Sequence, residues 1–364
     1  MTLLGEAVYE RAYYYCAACR AGDFPTDEEF GLERRQTPGA REVITLMGVL
    51  EPFEEGAHAV LPRLSGMNVS PSTVQRTTEA EGRRLAQRRA QGATFGPQTP
   101  WRWHRDAQGR TVAYTGLDAT GVRQQGPHGE KADGRMPWVG TVFNPQPAHE
   151  KRRRQRIWDS RYVSGVMGLP EIGAQLRREC QAVGVAQADV VIALTDGGNG
   201  LEDCLIDALG GVAREMVFIL DFWHVTEHLQ EFANLFLADD KQRKKQMTAW
   251  CHRLKHAGGQ AVLKTLESLN LARAAPAVRE SHRQLLGYFR GNLHRMNYPQ
   301  YVANGWHIGS GKIESACKSV VGGRLKGPGM RWHEPGTTAL CQLRSLYKSQ
   351  PACWQHYWKR TVAT

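Results

Sequence analysis

The sequence predicts an α/β protein whose sheet-bearing part is split by a long all-helical block and preceded by a small helical region. Two short apolar runs, Val190-Val191-Ile192-Ala193-Leu194 and Met216-Val217-Phe218-Ile219-Leu220, bracket a helical stretch at 200–210. Strand, helix, strand in that order, with β-branched residues in short unbroken apolar runs, is the pattern of a sheet covered on both faces. Residues 225–300 then keep helical periodicity with no strand-like run, and residues 36–98 read as helical. We divide the chain at 1–35, 36–98, 99–224, 225–300 and 301–364.

Residues 1–35 read as a short strand entering a Cys16-x-x-Cys19 knuckle. Such a knuckle supplies half of a four-ligand zinc site, and no second C-x-x-C follows it. A half zinc site and two free thiols in a turn both fit. In 36–98, Ser70-Pro71 is an N-cap followed by proline at the first helical position, with Val74 as the buried anchor. The apolar stretch AHAVLPRLSG, interrupted by Pro62, precedes it, and Gly66 opens a tight turn. A helix, a turn with Gly and an exposed Ser/Thr/Gln/Arg helix match a helix-turn-helix, and match a plain helical hairpin as well. Residues 92–110, rich in Gly, Pro and Trp, read as a linker. Thr111–Arg123 holds a strand reaching Asp118, and 138–144 holds its neighbour. A helix is expected near 170–183, another over 311–321, and a last one after the Gly/Pro-containing segment RLKGPGMRWHEPG.

The composition narrows the function. A net charge of +11 points to a polyanionic partner, and the charge is clustered: 149–161 holds six Lys/Arg against two acids, 309–364 nine against two. No run of about 18 apolar residues occurs, and no secretory leader follows Met1, so a membrane partner is not expected. The eight cysteines are scattered apart from one pair, which favours a reducing, cytoplasmic setting.

Three acids stand out. Asp118 lies at one strand's end and Asp196 follows another, while Glu314 opens a helix in GSGKIESACK. Carboxylates gathered at the carboxyl ends of strands can hold Mg²⁺ or Mn²⁺, which act on phosphodiesters. Taken singly, each also fits a turn or a first-turn helix charge. Asp221, ending the third strand, is the fallback second acid. The segment Gly309-Ser310-Gly311-Lys312 mimics a P-loop but has Trp306 and Ile313 where Gly and Ser/Thr are required. His224-x-x-Glu227-His228 matches a zinc-peptidase pattern, with no evident third ligand beside it.

Together, Asp118, TDGGNG (195–200), DFWH (221–224), GSGKIESACK (309–318) and GRLKGPGMRWHEPG (323–336) resemble bacterial insertion-sequence transposases of the ISKra type, kin of the Mutator-like DDE transposases. The resemblance covers essentially the whole chain. It implies an RNase H-like catalytic domain with a helical insertion before the final Glu. Asp118, Asp196 and Glu314 would then be the three acids, 78 and 118 residues apart. Asp221-x-x-His224 would match an auxiliary motif near the site. The activity implied is Mg²⁺-dependent cleavage of element ends and joining to target DNA, by a homo-oligomer assembled on DNA near the nucleoid. Gln75 and Arg76 would read terminal repeats, and Lys318, Arg324, Lys326 and Arg331 would contact phosphates. The family also carries an upstream Cys pair completing a zinc ribbon with Cys16 and Cys19; its absence argues against Zn²⁺ and raises the alternative of an inactive DNA-binding remnant. A zinc peptidase through His224, Glu227 and His228 is the distant third reading.

Overall fold

The computed structural model describes residues 1–3, 6–145, 159–198 and 200–362. The basic run 149–161 therefore lies outside the described residues except for its last three.

At the front, β1 (Tyr14–Cys16) and β2 (Ala21–Asp23) pair as an exposed antiparallel hairpin. The central sheet is mixed. Its strands are β3 (His104–Arg105), β4 (Thr111–Ala119), β7 (Trp138–Phe143), β8 (Ser160–Gly165), β9 (Val190–Thr195) and β10 (Met216–Leu220), and between β4 and β7 a separate hairpin is formed by β5 (Val122–Gln125) and β6 (Lys131–Arg135). The spatial order is β10-β9-β4-β7-β8, with β3 beside the start of β4. On one side of β4 the strands β7 and β8 run antiparallel; on the other, β9 and β10 run parallel to it. A mixed α/β class follows, as the sequence predicts.

Leaving aside four shorter α-helical turns, at Pro25–Glu29, Phe53–Glu55, Leu61–Ser65 and Gly323–Leu325, the α-helices of the described residues begin in chain order with α1 (Pro38–Leu50), α2 (Pro71–Ala90), α3 (Leu169–Ala182) and α4 (Leu201–Leu209). Then come α5 (Phe222–Phe236), α6 (Asp240–Glu267), α7 (Pro276–Asn292) and α8 (Tyr298–Ala303). The last are α9 (Gly311–Ala316), α10 (Glu334–Lys348) and α11 (Cys353–Val362). The helix expected over 311–321 is α9 followed by a π-helical turn, Cys317–Gly322.

Pleat alternation gives the sheet two cores. Val112, Tyr114, Val190, Ile192 and Leu194 face Trp250, Phe289 and Ile313 of the helical elements; Ala113, Leu117, Val191 and Ala193 face α3 and α4. Full burial of a large apolar side chain such as Phe289 contributes about 2–3 kcal/mol. No helix among the described residues is long and apolar enough to cross a membrane.

Two readings of the sequence change. The helix α2 begins as expected, with Ser70 Oγ accepting from Thr73 N–H at 3.2 Å and Val74 buried, but it is not the exposed helix predicted. Its buried side is polar, carrying Thr77, Thr78, Glu79, Glu81 and Arg89, and it packs between α1 and α10. At Gly82 an added Cβ would lie 2.5 Å from the Ala339 carbonyl, so the crossing with α10 needs glycine there. The stretch read as a linker is also packed: Phe95 and Trp103 are buried, and Trp103 Nε1 donates to the Gly184 carbonyl at 3.1 Å.

Gly116 of β4 sets how closely α9 approaches the sheet. A Cβ there would stand 2.0 Å from Ile313 Cδ1 and 2.8 Å from the Leu194 carbonyl oxygen. Gly116→Ala is expected to cost about 1–3 kcal/mol in urea unfolding; an unchanged midpoint would refute this packing.

Candidate active site

Strand register aligns the aspartates. Gly116 pairs with Leu194, the last pair of the ladder, so Asp118 and Asp196 each stand two residues further on, at one level where the adjacent parallel strands end. Their offset of 78 positions equals that of the paired Val112 and Val190. Leu220 pairs with Thr195, which puts Asp221 level with Asp196 on the next strand. By parity, Asp118 continues the face of Tyr114 and Gly116, and Asp196 that of Ile192 and Leu194. That face is the one covered by Ile313.

Glu314 is carried onto the same face by α9, whose Ile313 fills the space above Gly116. Asp221 anchors that helix. Its Oδ1 accepts from Trp223 N–H at 3.0 Å, capping α5, and its Oδ2 accepts from Ser310 Oγ at 2.6 Å. Ser310 is in turn the N-cap of α9, its carbonyl accepting from Glu314 N–H at 3.0 Å. Phe222 N–H donates to the Ile308 carbonyl at 2.9 Å, and Gly309 lies against the Trp223 ring. The motifs DFWH and GSGKIE are thus one structural unit. Buried and with both oxygens engaged, Asp221 is a structural tie, and the fallback role as second acid does not suit it.

Burial pushes the Asp118 carboxyl above its ordinary range, and the negative charges of Asp196 and Glu314 push it further. The three acids are therefore electrostatic neighbours. Ala119 N–H donates to Asp118 Oδ1 at 2.6 Å, and Gly198 N–H donates to Asp196 Oδ1 at 2.9 Å. Among the described residues no three His, Cys, Asp or Glu side chains are gathered closely enough to enclose an ion. The donor set is nevertheless all oxygen, and Mg²⁺ is held through one or two carboxylates while keeping several waters. An open arrangement of hard carboxylates fits that ion and suits zinc less well.

Several neighbours were not read from the sequence. Cys317, one helical turn past Glu314, donates its thiol to Asp118 Oδ2 at 3.5 Å, and burial with that carboxylate raises its pKa. Arg295, at the end of the helical block, donates to Thr195 Oγ1 at 3.2 Å and pairs with Glu202 at 3.0 Å. It thereby clamps both ends of the loop bearing Asp196. Tyr288 lies near Asp196 and Asp221, and burial raises its pKa. The spacing of Cys317 within GSGKIESACK was a usable signal; nothing local marks Arg295 or Tyr288.

The proposed DNA contacts separate into groups. Lys318 and Lys326 are exposed beside the acids, Lys318 Nζ lying 3.5 Å from Glu314 Oε2 and Lys326 bonding Thr120 Oγ1. Arg331 is exposed. Arg76 is exposed near the start of α2, whereas Gln75 donates to Glu79 Oε1 at 2.9 Å. Arg324 must be withdrawn as a phosphate contact. It is buried between the Phe53 and Trp332 rings, donates Nε–H to the Gly48 carbonyl at 3.0 Å, and has its pKa lowered to about 10 by burial.

His224 and His228 approach at 3.2 Å between Nε2 atoms, with Glu227 on His224 Nδ1 at 3.4 Å, and Tyr288 stacks against His228. No third protein ligand joins them among the described residues. Cys16 and Cys19 sit exposed at the β1–β2 turn, and hydrogen bonding from Cys19, its backbone N–H first, lowers the Cys16 pKa.

Two predictions follow from these environments. The folded state holds the Asp118 proton more tightly than the unfolded chain, so the destabilising effect is absent below the ordinary carboxylate range and grows as pH rises through the raised value. Asp118→Asn should therefore raise the thermal midpoint of the metal-free protein at pH 8, with the gain vanishing below about pH 4; no gain at pH 8 would contradict the acid cluster. Arg324→Ala should cost about 2 kcal/mol or more in urea unfolding while leaving the DNA affinity of the folded protein unchanged.

A scan against protein-family models finds no match to this chain, and a search of the curated proteins likewise finds none.

Proposed function

We propose that the chain is a DNA transposase of the DDE type, cleaving element ends and joining them to target DNA at a divalent-metal site held by Asp118, Asp196 and Glu314. The observation that carries this reading is the electrostatic meeting of three acids from distant parts of the sequence on one face of a mixed sheet. The sheet supports the finer RNase H-like reading. Three antiparallel strands, β4-β7-β8, are followed by two parallel ones on the other side of β4, and the acids stand at the β4 and β9 ends. The helical block between Asp221 and Glu314 matches the insertion that the ISKra-type resemblance implies.

When bound, Mg²⁺ or Mn²⁺ would supply an activated attacking oxygen and stabilise the leaving one. The protein's own work is positioning. Arg295 and the Gly198 N–H hold the Asp196 loop, and the Asp221–Ser310 bond seats α9, which carries Glu314 within electrostatic reach of Asp118. Lys318 and Lys326 stand where the phosphate backbone of a strand entering the site would pass, each able to neutralise one phosphate. The exposed Cys16/Cys19 turn, with its thiolate-favouring hydrogen bonds, suits half of a zinc site completed by ligands from elsewhere. Assembly as a homo-oligomer on DNA belongs to the same reading.

The test is strand nicking of a labelled duplex carrying the DNA that flanks the gene, with Mg²⁺ or Mn²⁺. Glu314→Gln, Asp118→Asn and Asp196→Asn should each lower the nicking rate on the order of 10³-fold, while His228→Ala should not. A wild type that binds these ends yet never nicks them would replace the catalytic reading with that of a DNA-binding remnant. A variant series with unchanged nicking would remove these acids from the site.

A further inference from the structure

We propose that the outward face of α6, in the helical block, is a second DNA-backbone contact surface, formed by Lys241, Lys245, His252, Lys255 and His256. The inference rests on the reading that the substrate is DNA.

The helix Asp240–Glu267 carries seven Lys/Arg against two acids. Both acids lie at its ends and are occupied: Asp240 pairs with Arg243 and Lys244, and Glu267 with Arg290. The buried side is marked by Trp250 and Leu254, and Trp250 packs on Phe232 of α5, the helix that begins at Asp221. At about 100° per residue, positions 241, 245, 248, 252, 255 and 256 fall opposite Trp250. All six are exposed. Among the described residues no acid pairs with Lys241, Lys245 or Lys255.

The geometry favours a phosphate backbone. Lys241 to Lys255 spans about 21 Å of helix, over which one DNA strand presents about six phosphates. The middle of the stripe is small, with Thr248, Ala249 and Ala257 bordering a shallow depression of about 640 Å³ between Lys245, His252 and His256. Small residues there let a polyanionic ridge approach while cations flank it. A protein partner would be expected to meet aromatic or large aliphatic anchors, and this stripe presents none. The stripe ends where Gly258 breaks the helix, at φ 81° and ψ 173°, which turns Lys264 onto a different axis.

The experiment measures binding of the full chain to a 30-base-pair duplex, by fluorescence anisotropy from about 50 to 200 mM salt. The triple variant Lys241→Ala, Lys245→Ala, Lys255→Ala is expected to raise Kd on the order of tenfold and to flatten the salt slope by about 2–3. Lys264→Ala should leave both unchanged, and thermal unfolding checks that the triple variant is folded. A wild type that binds with a salt slope unaltered in the triple variant overturns this surface alone. An unaltered slope accompanied by a changed sedimentation coefficient overturns it in favour of a contact between copies of the chain. A wild type that binds no duplex overturns the DNA reading itself, and this surface with it.

Discussion

The arrangement depends on one buried carboxylate whose two oxygens are both taken up by structural bonds. Asp221 receives Trp223 N–H on one oxygen and Ser310 Oγ–H on the other, while its own N–H donates to the Thr195 carbonyl at 2.8 Å. It therefore ties the end of β9, the start of α5 and the start of α9, three elements drawn from 195 to 311. An unpaired buried carboxylate would cost several kcal/mol, so these partners are obligatory rather than ornamental. Once they are made, the residue before Asp196 and the cap before Glu314 are fixed to a common point. The two candidate acids, half-buried Asp196 and exposed Glu314, can then carry few bonds of their own, because their placement is set by these neighbours.

Arg295 extends the same logic into the helical block. It lies close to 100 residues beyond Thr195, yet its guanidinium holds that residue and Glu202 on both sides of the Asp196 loop. The block is thus part of the site's frame rather than a decoration on it. The electrostatics are asymmetric. Cys317 and Ala119 give Asp118 two weak or local donors, while two neighbouring negative charges oppose its ionisation. Lys318 pairs with Glu314 at 3.5 Å, so it is Asp118 that meets no cationic side chain among the described residues, and a divalent cation would supply that charge.

What could be read from the sequence was the part governed by apolar periodicity. The buried run of β9, the half-buried apolar run of the edge strand β10 and the strand reaching Asp118 were legible because a covered strand face must be apolar. The strand β8 was not, because SRYVSG holds a buried Arg161 that pairs with Glu179 at 3.1 Å. The helix α2 was misjudged for a related reason. Its inner side is polar, and those groups find partners inside the protein: Glu81 accepts from Tyr357 Oη at 3.0 Å, and Arg89 donates to Gln342 Oε1 at 2.7 Å. Arg324 looked like a surface cation because a guanidinium held by one carbonyl and two aromatic rings has no local signature. The acids of the candidate site were legible through motif spacing, whereas Arg295 and Tyr288 depend on packing between helices far apart in the chain.

The arginines at the end of the chain have one more consequence. Arg324 Nε–H donates to the Gly48 carbonyl, and Arg344 Nη1–H donates to the Val49 carbonyl at 2.6 Å. These are among the last carbonyls of α1, which a helix cannot satisfy by itself. The second bond joins residues 295 positions apart. At about 5–20 residues per second, a ribosome needs roughly 15–60 s to make the chain between them. During that interval the first long helix waits with its end unfinished. Completion of the fold is therefore a late event, timed by the emergence of the final segment and not by the order in which the elements are written.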